Sequence, residues 1–233
     1  MCRKIFISVA VLFLLQKIYV PLLADEKTVA VLDFDNNSIL NPQQYQPLSG
    51  GLAEIMITEL GRVKSLRIVE RRRIKTIIDE IKANQSGLVE GSSFKAGRML
   101  GADYLLFGSY MVNLNKKIRI DVRVVDVETG LTIKSEEVTG KPDQIISLVR
   151  KLGKRLLKGL DIRISRKEEK ILNESKKINM KAVVLFSKGV RFEDSGDFEK
   201  AEQFYESALK LEPDFSLASK RIEIVRGKKK LKN

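Results

Sequence analysis

Two carboxylates two residues apart, Asp33 and Asp35, close an apolar run and are the residues of this sequence best placed to do chemistry. In that setting Asp33 would attack a phosphoryl group to form an aspartyl-phosphate, while Asp35 would protonate the leaving oxygen. Such a phosphohydrolase also needs a later acidic pair at a strand end to hold Mg²⁺, and none follows here. The competing account of Asp35-Asn36-Asn37-Ser38 is turn and capping chemistry, for which these residue types are the usual choice.

Two further constellations invite chemistry. The stretch 91–98 (GSSFKAGR) has the glycines of a phosphate loop but not its spacing, and no Lys-Ser/Thr follows, so it reads as a helix start capped by Ser92 or Ser93. Arg71-Arg72-Arg73 has the charge of a nucleic-acid contact. It also opens a helix, where positive charge opposes the dipole, so acidic partners or a bound anion are expected for some of these arginines. The sequence contains no His, and its one Cys is Cys2. A His-based triad, an imidazole or thiolate zinc site and an intrachain disulfide are therefore excluded, and no metal or cofactor is expected.

The elements that must position these residues begin after an address. Arg3 and Lys4 precede the apolar stretch 5–15, and the run closes at Pro21-Leu22-Leu23-Ala24 before Asp25-Glu26-Lys27, the layout of a signal peptide over 1–24. Lys17 inside the twenty residues 5–24 disfavours a spanning helix. Cys2 precedes the apolar residues, so it is not the lipidated cysteine of a lipoprotein. The expected location is the periplasm or the periphery of the outer membrane. Across 233 residues Lys plus Arg exceed Asp plus Glu by 43 − 30 = 13. Removing 1–24 takes away Arg3, Lys4 and Lys17 and no acid, leaving 40 − 30 = +10.

The fold class expected for 25–164 is α/β, with a mixed sheet and an antiparallel meander. The run 27–34 is a buried strand, and Leu52, Ile55, Met56 and Leu60 recur at helical spacing after a Pro/Gln/Gly loop over 41–51. A strand at 66–69 leads to an amphipathic helix at 71–82 with Ile74, Ile77, Ile78 and Ile81 on one face. A short helix at 94–100 and a strand at 104–110 follow. Ile118, Ile120, Val122 and Val124 then alternate with Lys117, Arg119, Asp121 and Arg123, and Glu128-Thr129-Gly130 turns into 131–138, giving a meander with one wet face. A helix over 143–161 lays Ile145, Val149, Leu152, Leu156 and Leu160 on the sheet.

Five ordered blocks, 31–36 (VLDFDN), Val69-Glu70-Arg71 with Ile77-Ile78-Asp79-Glu80, Gly87-Leu88-Val89, 100–108 (LGADYLLFG) and 122–130 (VRVVDVETG), make the region resemble the periplasmic domain of the CsgG family. The resemblance implies an envelope protein related to curli secretion. The connections between 104 and 138 are too short for membrane-spanning hairpins, so it implies the soluble version of the fold rather than a pore.

Residues 165–180 read as a charged helical connector that few contacts should cross. In 181–233, Leu185, Gly189, Phe192, Gly196, Phe198, Ala201, Tyr205, Ala208 and Pro213 resemble a single tetratricopeptide repeat, with helices expected at 183–194 and 198–211 and a capping helix around Leu217, Ile222 and Val225. The tail 227–233 (GKKKLKN) is expected to fray. The resemblance places Val183, Phe186, Val190, Glu193 and Asp194 on the inner, protein-binding helix face, unless the connector or cap buries it. The function expected is a non-enzymatic envelope assembly or adaptor component. Its partners would be envelope proteins, a second copy, and at its periphery an anionic membrane or cell-wall polymer, but not nucleic acid. The alternative is the phosphohydrolase built on Asp33 and Asp35, and a third reading is a basic nucleic-acid binder.

Overall fold

The computed structural model of the chain describes residues 26–84 and 91–232. The expected signal segment 1–24 and the block Gly87-Leu88-Val89 lie outside the described residues.

The fold is α/β, as expected. Its sheet runs in the order β3 (Leu66–Val69), β1 (Lys27–Val31), β4 (Tyr104–Val112), β5 (Ile118–Asp126), β6 (Thr132–Gly140). The first three strands are parallel and β4–β5–β6 form the antiparallel meander. A two-residue strand, β2 (Asp35–Asn36), pairs in parallel with the end of β4, so part of the polar cluster expected as loop is ladder. Side-chain alternation divides the sheet into two faces. Val29, Val31, Leu106, Tyr110, Ile118, Ile120, Val122 and Val124 join one core with α2 (Leu48–Leu60) and α5 (Ile145–Gly159). Ala30, Leu32, Leu105 and Phe107 face the other way, with α3 (Arg71–Asn84) and α4 (Ser92–Met99).

Several boundaries differ from expectation, each for a physical reason. Pro42 nucleates a four-residue helix, α1 (Pro42–Tyr45), inside the expected loop, and α2 begins at Leu48 rather than after Gly51. Gly51 lies within α2, and the position takes glycine because a Cβ there would stand 1.8 Å from Ser187 Oγ of a neighbouring helix. The N-cap of α4 is Gly91, with no side-chain cap bond, in place of Ser92 or Ser93. Pro142 starts a 3₁₀ turn, and α5 follows it.

The connector is helical over α6 (Arg166–Asn173), opened by a capping box between Ser165 and Glu168. Contrary to expectation it is tied to the sheet domain. Leu172 and Ile178 are buried, Glu168 accepts from the Lys64 N–H at 2.9 Å, Ser147 Oγ accepts from the Lys176 N–H at 2.8 Å, and Arg150 donates to the Glu174 carbonyl at 3.1 Å. Two apolar residues and a few bonds between side chains and backbone suffice to dock a segment whose overall composition is polar.

Three further helices follow, α7 (Met180–Asp194), α8 (Phe198–Leu211) and α9 (Ser216–Lys232). The tail expected to fray is the last turn of α9 as far as Lys232. Ion pairs hold it to the preceding helices, from Lys228 to Glu193 at 2.8 Å and from Lys229 to Glu202 at 3.0 Å. One continuous apolar cluster runs from the sheet through α2 to Val183, Phe186, Tyr205, Phe215 and Val225.

Candidate functional site

In a parallel sheet, ligands enter at the carboxyl ends of the strands where the chain leaves to opposite faces. Here that point is the end of β1. The chain leaves β1 for α2 on one face, and leaves neighbouring β3 for α3 and α4 on the other. Asp33 follows β1 and Arg71 follows β3, so the topology brings together two residues that stand 38 positions apart.

Arg71 Nη1 donates to Asp33 Oδ1 at 2.7 Å, and Nη2 donates to Asp194 Oδ2 at the end of α7. The Arg71 side chain is 3% exposed. Gly50 in α2 makes room for it, since a Cβ there would lie 3.0 Å from Nη1. Glu54 Oε2 stands 3.9 Å from Arg71 Nε and 3.3 Å from Arg221 on α9. Arg221 lies 3.2 Å from Glu193 Oε2. Glu193 accepts from the Tyr205 hydroxyl at 2.9 Å and from Lys228 at 2.8 Å. At the rim, Lys75 approaches Asp194 at 3.8 Å. Four carboxylates, Asp33, Glu54, Glu193 and Asp194, therefore interleave with Arg71, Arg221, Lys228 and Lys75, and the charges balance.

Burial sets the electrostatics, and the partners decide its sign. Burial opposes the Arg71 cation, but Asp33 and Asp194 outweigh it and hold the guanidinium above its ordinary range. Arg221 is raised in the same way by Glu54 and Glu193. Burial pushes the Glu54 carboxyl up, more strongly than Arg221 and Arg71 pull it down. Glu193 is also pushed up by burial, yet Arg221, Lys228 and the Tyr205 hydroxyl bring it below its ordinary value. Burial beside Glu193 raises the Tyr205 hydroxyl.

The expected site residues fall differently into this arrangement. Asp33 is committed to Arg71 and Asp35 is exposed on β2, so the first is held as an ion-pair partner rather than as a free nucleophile. Among the described residues no group of three or more acidic side chains is arranged to hold a metal ion. Arg71 has the acidic partners its place at a helix start demands, and it is buried rather than part of a solvated face. Val183, Phe186 and Val190 are fully buried, Glu193 is fully buried, and the Asp194 side chain is 5% exposed. The strip expected to take a partner protein is thus covered inside the chain. Ser187, on the same helix, abuts Gly51 of α2, and Glu193 and Asp194 belong to the charged junction. Sequence reasoning missed Glu54 and Arg221. The available signal was two charged residues a helical turn from apolar or small ones, Glu54 from Gly51 and Ile57, and Arg221 from Leu217, Ala218 and Val225.

Beside the junction a cleft of about 780 Å³ opens between α3, α4 and the sheet, lined by Asp33, Lys75, Phe94, Phe107 and Arg123 among others. Arg123 lies over the Phe107 ring at 5.1 Å. The uncovered face of the meander carries Arg119, which donates to Asp121 and also pairs with Glu137. This is the wet face the alternation predicts.

An α/β layer joined through a buried charged junction to its own carboxyl-terminal helices is the class of structure that these observations define. The family model described as curli production assembly/transport component CsgG matches residues 13–113. Comparison of the sequence with curated proteins gives no match. Among solved structures, the LpoB C-terminal domain from Salmonella enterica is similar at 17% identity and TM-score 0.40, over 50% of this chain and 84% of that one. A PelC dodecamer from Paraburkholderia phytofirmans, carrying a point substitution of its own, is similar at 18% identity and TM-score 0.40, over 61% of this chain and 94% of that one. TolB from Acinetobacter baumannii is similar at 13% identity and TM-score 0.39, over 60% of this chain and 29% of that one.

Proposed function

We propose that this chain is a non-enzymatic component of a cell-envelope assembly, in which a CsgG-like layer and a tetratricopeptide-like helix pair act together as one binding body. The carrying observation is the charged junction, whose cations and carboxylates take up one another. Where an α/β sheet of this topology would receive a small substrate, Arg71 is taken up by Asp33 and Asp194, and Glu54 by Arg221. The CsgG-family match over 13–113 gives the reading its envelope direction. No described helix is long and apolar enough to cross a membrane. The surfaces left for partner proteins or a second copy are the open face of β4–β6 and the outer side of α8.

Cell fractionation with N-terminal sequencing of the recovered protein tests the location. A chain beginning near Asp25 in the envelope fraction is expected, and a full-length chain in the cytosol would defeat the reading. A panel of phosphate esters with Mg²⁺ tests the other half. Turnover that disappears in Asp33→Asn would restore the phosphohydrolase.

A further inference from the structure

Three connections meet at one end of the sheet: 37–41 after β2, 113–117 between β4 and β5, and 141 after β6. Backbone bonds hold them together. The Ile39 and Leu40 N–H groups both donate to the Val112 carbonyl at 3.3 Å, the Val112 N–H donates to Ser38 Oγ at 3.2 Å, and Ile118 pairs with Gly140. The β4–β5 turn is itself fixed. The Lys116 N–H donates to the Asn113 carbonyl at 3.0 Å, the Lys117 N–H donates to Asn113 Oδ1 at 3.0 Å, and Lys116 adopts a left-handed φ of 54°.

What this frame presents outward is unusual for loops. Leu114 is 73% exposed and Ile39 is 64% exposed. Lys116, Lys117 and Lys141 surround them, all exposed, and none has a carboxylate partner among the described residues. Several cations elsewhere on the surface are matched, Arg119 to Asp121 and Glu137, Lys154 to Glu169, and Arg226 to Glu202 and Glu206, whereas here the lysines accompany exposed apolar side chains. The stretches 36–47, 113–117 and 140–142 contain no acidic side chain at all.

We propose that this end of the sheet is a peripheral membrane-contact surface that docks on an anionic phospholipid bilayer. Ile39 and Leu114 enter the boundary between headgroups and acyl chains, and Lys116, Lys117 and Lys141 meet the lipid phosphates. Isolated apolar side chains gain by partitioning into such a boundary, while unpaired lysines at its surface are drawn by its negative potential. A protein partner would be matched by a contiguous apolar patch or a pocket. Here the two apolar side chains are interspersed with Asn37, Asn41, Asn113 and Asn115, and neither the cleft beside the junction nor the hollow on the meander face takes in any of the five residues. A fluid surface accepts that arrangement. The inference rests on the envelope reading only for the presence of such a bilayer, and the binding is measured on purified protein, so failure of one and failure of the other are separate results.

The test is co-sedimentation of the protein, as recovered from cells, with vesicles of phosphatidylcholine alone or mixed with phosphatidylglycerol. Binding to the mixed vesicles only, weakened by high salt, is expected for the wild-type chain. The double variant Lys116→Glu/Lys117→Glu should lower partitioning at least tenfold. Ile39→Asn/Leu114→Asn should lower it several-fold with no change of charge. All share one N-terminus, so any contribution from residues 1–24 is common to them. Lys170→Glu/Lys177→Glu makes the same charge change at exposed sites elsewhere and should stay within twofold of wild type. Circular dichroism and the melting temperature check that each variant folds. Absence of wild-type binding, equal binding by both loop variants and wild type, equal loss in the Lys170/Lys177 control, or an effect on self-association in place of vesicle binding would each overturn the proposal.

Discussion

Arg71 is held by residues from three segments: Asp33 after β1, Glu54 on α2, where Gly50 makes room for it, and Asp194 at the end of α7. Removing one member of such a buried group leaves uncompensated charge, which typically costs about 3–5 kcal/mol. Arg71→Met should therefore lower stability by that order in urea unfolding, whereas changing the neighbouring exposed Arg73 to Met should be nearly neutral. The two buried glutamates should respond to acid in opposite senses. Glu193 is held below its ordinary value of 4.5, so its ionised form favours the fold. That contribution is complete above about 4.5 and is lost as pH falls through the depressed folded value. Glu54 is held above 4.5, so folding favours its neutral form more than the unfolded chain does, and that contribution grows as pH falls through the raised value. Measured against wild type, Glu193→Gln should be destabilised near pH 7 with a gap that narrows near pH 4. Glu54→Gln, whatever its offset from wild type near pH 7, should lose ground to it as pH falls. Identical pH trends for the two variants would contradict the assigned environments. The sequence made it legible that Arg71 needed an acid, because a cation opening a helix is mispaired with the dipole. It could not show which acid, because Asp194 lies 123 positions away and on an element whose docking partner no local pattern reveals.

Between elements, the close approach of α2 and α7 carries the union of the two parts. Ser187 is fully buried and its hydroxyl donates to the Val183 carbonyl at 2.8 Å, which leaves no space for a side chain at position 51. Gly51→Ala should destabilise by about 1–3 kcal/mol, the usual effect of overpacking. Ser187→Gly in the same chain should recover part of the loss, a coupling that a double-mutant cycle reads directly. Phe186 sits between Tyr205 and Phe215, with ring centroids at 5.6 and 5.1 Å. Phe186→Ala should cost about 3–5 kcal/mol. Most elements were legible because period-2 and period-3.6 patterns act over neighbouring residues, as in β5 and α5. The strip Val183, Phe186 and Val190 was legible as apolar and helical, but periodicity states only that a face will be covered. It does not name the cover. The same limit hid the docked connector and the packed tail, whose lysines look solvated in sequence while Lys228 reaches Glu193.

For the whole molecule, the continuous core and the charged junction mean that residues 25–164 and 181–233 should not unfold separately. The α/β class and the order of the helices were read from the sequence. The charged junction was not, because it depends on where the last three helices come to rest. Native-state hydrogen exchange followed by mass spectrometry tests this most directly, because amides of β1 and β4 report on the sheet while those of α7 and α8 report on the helical part. Slow exchange of both sets with the same global opening free energy is expected in the wild-type chain, with both falling together in Arg71→Met. Exchange of α7 and α8 through a separate, much lower opening while β1 and β4 stay protected would contradict it.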